Sequence, residues 1–405
     1  MAMRRAFSAI LPFFLLTSHG LALQGPPHLS PTPSIQRLQA LDLEKQGNLQ
    51  QAEQAWRTIL KTQPRNAEAY AHLGLLAARR GSYKEAIPLD RKALALGPDL
   101  SGLRMNLGLA LFKSGQPKEA IREFSRLLNA PGISPEDALR ARILIGMAHY
   151  GQGEYADAIP FLKAAAAADT TNLPLRLILA HSCLWTHQNE CVLDTYREIL
   201  TISPDSAEAY ILAGEAMDAM KNTTGAIEQF RLAIRANPRQ PLSHFALGYL
   251  LWTQSSYDEA AKELHAELEV NPDYPQALLF LADIDVKANR FAEAAPVLAR
   301  VEKADPSLAM AHLDMGIVEA ESGHTDAAIK ELKEAAILDP TDADSHWRLA
   351  RLYRSRGDTE AAEKELAKTK ELKTAAHQEL YEKLAHGHPQ QPSSEIPFTP
   401  SKPSQ

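Results

Sequence analysis

Proline recurs at positions 204, 238, 272, 306 and 340, each 34 residues after the last, and Pro64 and Pro98 keep the same step. A period of that length is the mark of a small helical unit that buries its apolar face only against neighbouring copies of itself. Two further series hold the same register. Twelve residues before each proline place stand Ala52, Ala86, Ala120, Ala158, Ala226, Ala260, Ala294, Ala328 and Ala362, and Val192 departs from the pattern. Twelve residues earlier again lies a second run of small residues, from Ala40 and Gly74 to Gly316 and Ala350.

The spacing predicts two antiparallel helices per unit, brought close where small side chains face each other. Gly47, Gly81, Gly115, Gly153, Gly323 and Gly357 fall between them, where a helix ends in a left-handed residue that glycine adopts cheaply. The terminal proline then stops the second helix. From Pro98 to Pro204 the count is three periods plus four residues, and the segment 130–135 supplies the insertion. Pro88, Pro160 and Pro296 fall inside expected second helices, with no functional account.

Segments such as Ala207 to Pro238, with Tyr210, Gly214, Ala226, Phe230 and Pro238, resemble the tetratricopeptide repeat (TPR). The chain is similar to that family over ten repeats beginning near 33, 67, 101, 139, 173, 207, 241, 275, 309 and 343; repeat 5, with Val192 and with His187 at the turn, is the most degenerate. The resemblance implies an all-α, right-handed superhelical solenoid whose first helices line a concave groove for protein or peptide segments. It also implies roles such as envelope complex assembly or secretion, with a bridging subunit of a polysaccharide export machine as the alternative.

The ends differ in kind from the repeats. Arg4 and Arg5 precede an apolar stretch from Ala6 to Leu16 and a small-residue end at Gly20 and Ala22, which reads as a bacterial export signal over 1–22. The stretch is short for spanning a bilayer of about 30 Å, so cleavage after Ala22 is expected, with an uncleaved anchor as the other reading. The expected organisation is then a Pro-rich linker at 23–33, repeats over 34–374, a capping helix at 375–385 and a disordered tail at 386–405. Such a protein is periplasmic or secreted, and touches a membrane only through an uncleaved signal or a partner.

A net charge of −7 without a basic stripe argues against nucleic acid as partner. No HExxH, phosphate loop or CxxC pair occurs, so no enzyme, cofactor or metal site is expected. The histidines and carboxylates read mostly as solvated helix faces. Cys183 and Cys191 flank one turn, close enough for a disulfide, which export makes reasonable; two buried thiols filling the core are the other reading.

Stepping around each first helix from its small residue selects a groove face. It comprises Met105, Phe112, Met147, Tyr150, Trp185, Phe245, Tyr249 and Trp252, acidic at Glu215 and Asp218 and basic at Arg351 and Arg354. Such a face is either a partner surface or packing between neighbouring repeats; Tyr249 and Trp252, with polar tips, suit a half-wet interface best. A carboxylate clamp of the kind that grips chaperone C-termini is not expected, since Arg37 alone is of the right type at the matching places.

Overall fold

A computed structural model describes residues 35–97 and 101–385; the segments expected to be an export signal (1–22), a linker (23–33) and a disordered tail (386–405) lie outside the described residues. The described residues form twenty α-helices and no strand, in two compact units that divide between Lys221 and Asn222. The first holds α1 (Ile35–Lys45), α2 (Leu49–Thr62), α3 (Ala67–Arg79), α4 (Tyr83–Leu96), α5 (Ser101–Lys113), α6 (Pro117–Leu128), α7 (Pro135–Gly151), α8 (Tyr155–Ala168), α9 (Leu173–Trp185), α10 (Asn189–Ile202) and α11 (Ala207–Ala219). In the second are α12 (Thr223–Ala236), α13 (Ser243–Thr253), α14 (Tyr257–Val270), α15 (Pro275–Lys287), α16 (Phe291–Ala304), α17 (Ala309–Glu321), α18 (Thr325–Leu338), α19 (Ala343–Ser355) and α20 (Thr359–Ala385). Within each unit a helix packs chiefly on its sequence neighbours, so the core runs along the chain as a series of local layers.

The turns follow from one backbone requirement. All six predicted glycines take positive φ, between 76° and 82°. Where glycine is missing, His187, Lys221, Ser255 and Asn289 take the same left-handed conformation at 54° to 63°. That residue reverses the chain and lets the next N–H return to the helix it has left, as Ser82 N–H does to Ala77 O at 2.9 Å. First helices open on side-chain caps at Asn66, Ser134, Asn172, Ser206 and Asp342.

The small residues are needed for a close approach, though not chiefly to the alanine twelve residues on. A Cβ added at Gly108 would sit 2.3 Å from the Phe124 ring, and one at Gly316 would sit 2.7 Å from Leu332. Gly74, Gly108, Gly146, Gly248 and Gly316 each face the side chain sixteen residues later, four beyond the alanine. Trp56, Phe124, Phe230 and Leu264 fill that place and are fully buried. Asp90 fills it in the second pair. It is 0 % exposed, neither carboxylate oxygen has a hydrogen-bond partner, and burial pushes its carboxyl up to about 8.

Three local features depart from the periodic expectation. The four inserted residues lengthen α7 to 17 residues against 13 in α3, with Pro135 at its first turn and Ser134 as cap, so the insertion adds a helical turn more than a loop. Helix α20 runs unbroken for 27 residues, so the segment 375–385, expected as a separate cap, continues the second helix of the tenth pair. Helix α13 starts late because Leu242 is left-handed at φ 67°; the buried Glu267 accepts hydrogen bonds from the Leu242 and Phe245 N–H groups at 3.2 and 3.3 Å and caps the helix from α14. Pro88, Pro160 and Pro296 lie inside α4, α8 and α16, which continue through them.

Cys183 at the end of α9 and Cys191 at the start of α10 pair as a disulfide across the turn, with Cα atoms 5.8 Å apart and both residues in the core. A bridge closing so short a loop contributes about 2–3 kcal/mol at most. Mass analysis without reductant should find the chain two hydrogens lighter than its reduced form. Two alkylated thiols on the undenatured protein would decide for free cysteines.

Several histidines do more than face solvent. His244 is buried, with Nδ1 2.7 Å from Glu263 and Nε2 3.1 Å from Pro238 O. A carbonyl only accepts, so Nε2 carries a proton; the Glu263 hydrogen bond is the largest influence raising this imidazole above its ordinary value. The same joint, nineteen residues apart across one pair, recurs as Arg104–Glu123, His312–Glu331 and His346–Glu365. These pairs tie the start of a first helix to the middle of the second.

Candidate partner-binding face

First helices of successive pairs lie side by side, α13 against α15 and α15 against α17, and their outward faces carry the predicted groove residues. Two of those residues are misplaced. Met105 is 7 % exposed and Phe245 is 0 % exposed. Both stand three residues before the small residue, a position that turns toward the neighbouring pair; Ile143 and Leu279 at the same place are also buried. Phe245 meets the Tyr274 ring edge-on at 4.9 Å.

In the first unit Phe112 and Met147 are half-buried against the core. Tyr150 and Trp185 sandwich an aromatic that face arithmetic missed: Tyr155, the first residue of α8, lies 5.4 Å edge-on from Tyr150 and 5.6 Å stacked on Trp185. It was overlooked because it belongs to a second helix. The acidic character expected at the sixth repeat is weaker than its composition suggests. Glu215 is buried, and burial pushes its carboxyl up to about 8; burial also raises Asp218.

The second unit joins Tyr249, Trp252 and Phe280 into one aromatic cluster, with Trp252 4.7 Å from Phe280 and Tyr249 5.3 Å from the same ring. The polar tip of Trp252 is not left for a partner: its Nε1 donates to Asp283 at 2.6 Å. Asp283, 1 % exposed on α15, also receives the Lys287 ammonium, which stands 5.4 Å over the Trp252 ring. On α17 the buried Asp314 is raised well above the usual carboxylate range, by burial and then by Asp283. Trp252, half-buried, therefore serves as a joint between pairs.

The C-terminal end of the face is cationic and open. Arg351 and Arg354 on α19 are exposed, and neither makes an ion pair among the described residues. Arg351 lies 4.8 Å over the Trp347 ring, a cation–π contact, while Arg348, 5.9 Å from the same ring, is paired with Asp344 at 2.8 Å.

Among solved structures the chain is similar to three helical-repeat proteins. One is a tetratricopeptide repeat protein from Parabacteroides merdae ATCC 43184 (16 % identity, 62 % of this chain and 98 % of that one, TM-score 0.46). Another is YrrB, described as a TPR protein with an unusual peptide-binding site (21 %, 45 % and 95 %, TM-score 0.40). The third is MamA from Desulfovibrio magneticus RS-1 (21 %, 42 % and 97 %, TM-score 0.38). No curated protein matches the chain. Tetratricopeptide repeat profiles match residues 37–101, 105–172 and 245–309, and a second profile of the same repeat matches 319–385. Those matches coincide with the helix pairs, the left-handed turns and the small-to-large contacts between them, and the chain belongs to the tetratricopeptide repeat family.

Proposed function

We propose that this protein is an exported scaffold that holds a segment of another protein on its first-helix face, in the assembly of an envelope complex or in secretion. The observation that carries the reading is the cationic end of that face. Arg351 is presented over an aromatic ring, and neither it nor Arg354 makes an ion pair among the described residues, whereas Arg57, Arg80 and Arg91 elsewhere on the surface are paired with glutamates. A segment with acidic residues at one end and an apolar or aromatic side chain reaching Tyr249 fits this arrangement. The export part of the reading rests on Arg4, Arg5 and the apolar stretch that follows.

Protein recovered from the envelope fraction should begin near Leu23, and what co-purifies with it is the candidate partner. Arg351→Ala with Arg354→Ala should weaken capture of that partner at least roughly tenfold, more so at low salt, where screening is least. Lys303→Ala, an exposed charge on a second helix, should leave capture unchanged. Equal capture by all three proteins would remove the cationic end from the site, and intact Met1 in a cytosolic fraction would remove export.

A further inference from the structure

The eighth residue after the inter-helix alanine is Leu, Ile or Ala in eight of the ten pairs; the exceptions are Lys370 in the last pair and Glu302 on α16, which stands between Leu268 and Ala336 at the equivalent places. A carboxylate at a place built for an apolar side chain needs a partner, yet Glu302 Oε1 is shut off from solvent and makes no hydrogen bond. It points instead at the imidazole of the next pair: His312 Nδ1 is 3.6 Å away, and Glu331 Oε2 lies 2.8 Å from the same nitrogen.

The other side of the imidazole is already committed. His312 Nε2 is 3.1 Å from Pro306 O, which can only accept, so that nitrogen holds a proton and Nδ1 can turn its lone pair toward the two carboxylates. A backbone carbonyl behind a histidine is the usual device for orienting the ring as a ligand. The second oxygen of Glu331 is occupied by Lys330 at 2.8 Å, which leaves Oε2 as a single donor. One ligand atom from each of Glu302, His312 and Glu331 falls within 4.8 Å of the others.

We propose that Glu302, His312 and Glu331 bind a divalent transition-metal ion, with zinc the best match to one imidazole and two carboxylates. Zinc bonds to nitrogen and oxygen at about 2.0–2.1 Å, which sets tetrahedral ligand atoms about 3.3 Å apart; the 2.8 and 3.6 Å separations straddle that value. Water fills the fourth position. The three side chains keep between 11 % and 22 % of their surface exposed, which leaves a way in for the ion. The ion would join α16 to α17 and α18, two neighbouring pairs, where the ordinary histidine–glutamate joint stays within one.

The molecule carries its own control. His244 has the same carboxylate partner and the same carbonyl behind it, but Ile234 stands where Glu302 would be. The full chain, stripped with a chelator, is titrated with zinc as wild type, Glu302→Leu and His244→Gln. Wild type and His244→Gln should each take up one tight equivalent and melt higher with zinc. Glu302→Leu should lose that equivalent, its affinity falling by at least roughly 100-fold, since even an outer-shell change costs about 10–100-fold. Leucine occupies this place in other pairs, so that variant should fold and, without metal, melt at least as high as wild type. His386 and His388 are common to all three proteins, so zinc held by the tail cancels in the comparison. Equal tight uptake by wild type and Glu302→Leu, or no tight equivalent in wild type, overturns the proposal and leaves His312 as an ion-pair joint.

Discussion

Asp90→Leu should stabilise the first unit by about 2–4 kcal/mol, because it removes an unsatisfied buried carboxyl and adds buried apolar surface. Leucine is already accepted under the equivalent glycine at Gly146, Gly248 and Gly316, where Leu162, Leu264 and Leu332 fill the same contact. The pH dependence identifies the cause. Burial raises the folded carboxyl from 3.8 to about 8, so the stability it permits is complete below the unfolded value and is lost as pH rises through about 8. Amide exchange in α3 and α4 of the wild type should therefore quicken between about pH 5 and about pH 9 beyond its intrinsic increase, and the leucine variant should lose that excess. A variant that is no more stable and keeps the same pH response would place a counter-charge or water beside Asp90.

Trp252→Ala should cost about 3–5 kcal/mol, the range for truncating a large packed aromatic. The loss should be local to α13 and α15, because the indole both packs on Phe280 and donates to the buried Asp283. Trp252→Phe should fall between, keeping ring contact while leaving Asp283 with Lys287 alone. Arg351→Ala with Arg354→Ala should change stability by less than about 0.5 kcal/mol, as exposed substitutions do. If amide exchange in α13 and α15 is unchanged in Trp252→Ala, the side chain is not a joint between pairs.

The contrast between these residues shows what sequence could and could not reveal. Gly81 and His187 were legible as turns because the left-handed requirement is local. The alanine register was legible because close approach repeats at one step. Phe245 was misread because counting around a helix treats it as isolated, and the position three before the small residue is covered by a neighbour. The His244–Glu263 joint escaped because its nineteen-residue separation belongs to the pair rather than to either helix. Asp90 and Glu302 are detectable as breaks in an apolar register, but only the structure says what each faces: closed space for one, an imidazole for the other.

Contacts confined to sequence neighbours also bear on how such a chain changes over generations. The second unit repeats one scheme at a 34-residue step, with Leu268 and Ala336 at the place where α16 carries Glu302. Duplicating or deleting a single 34-residue stretch of the second unit would thus leave junctions of a sort already present. The number of first helices available to a ligand can therefore drift as a genetic variable, nearly independent of the rest of the molecule, whereas a metal bridging two neighbouring pairs would fix one junction against such reshuffling.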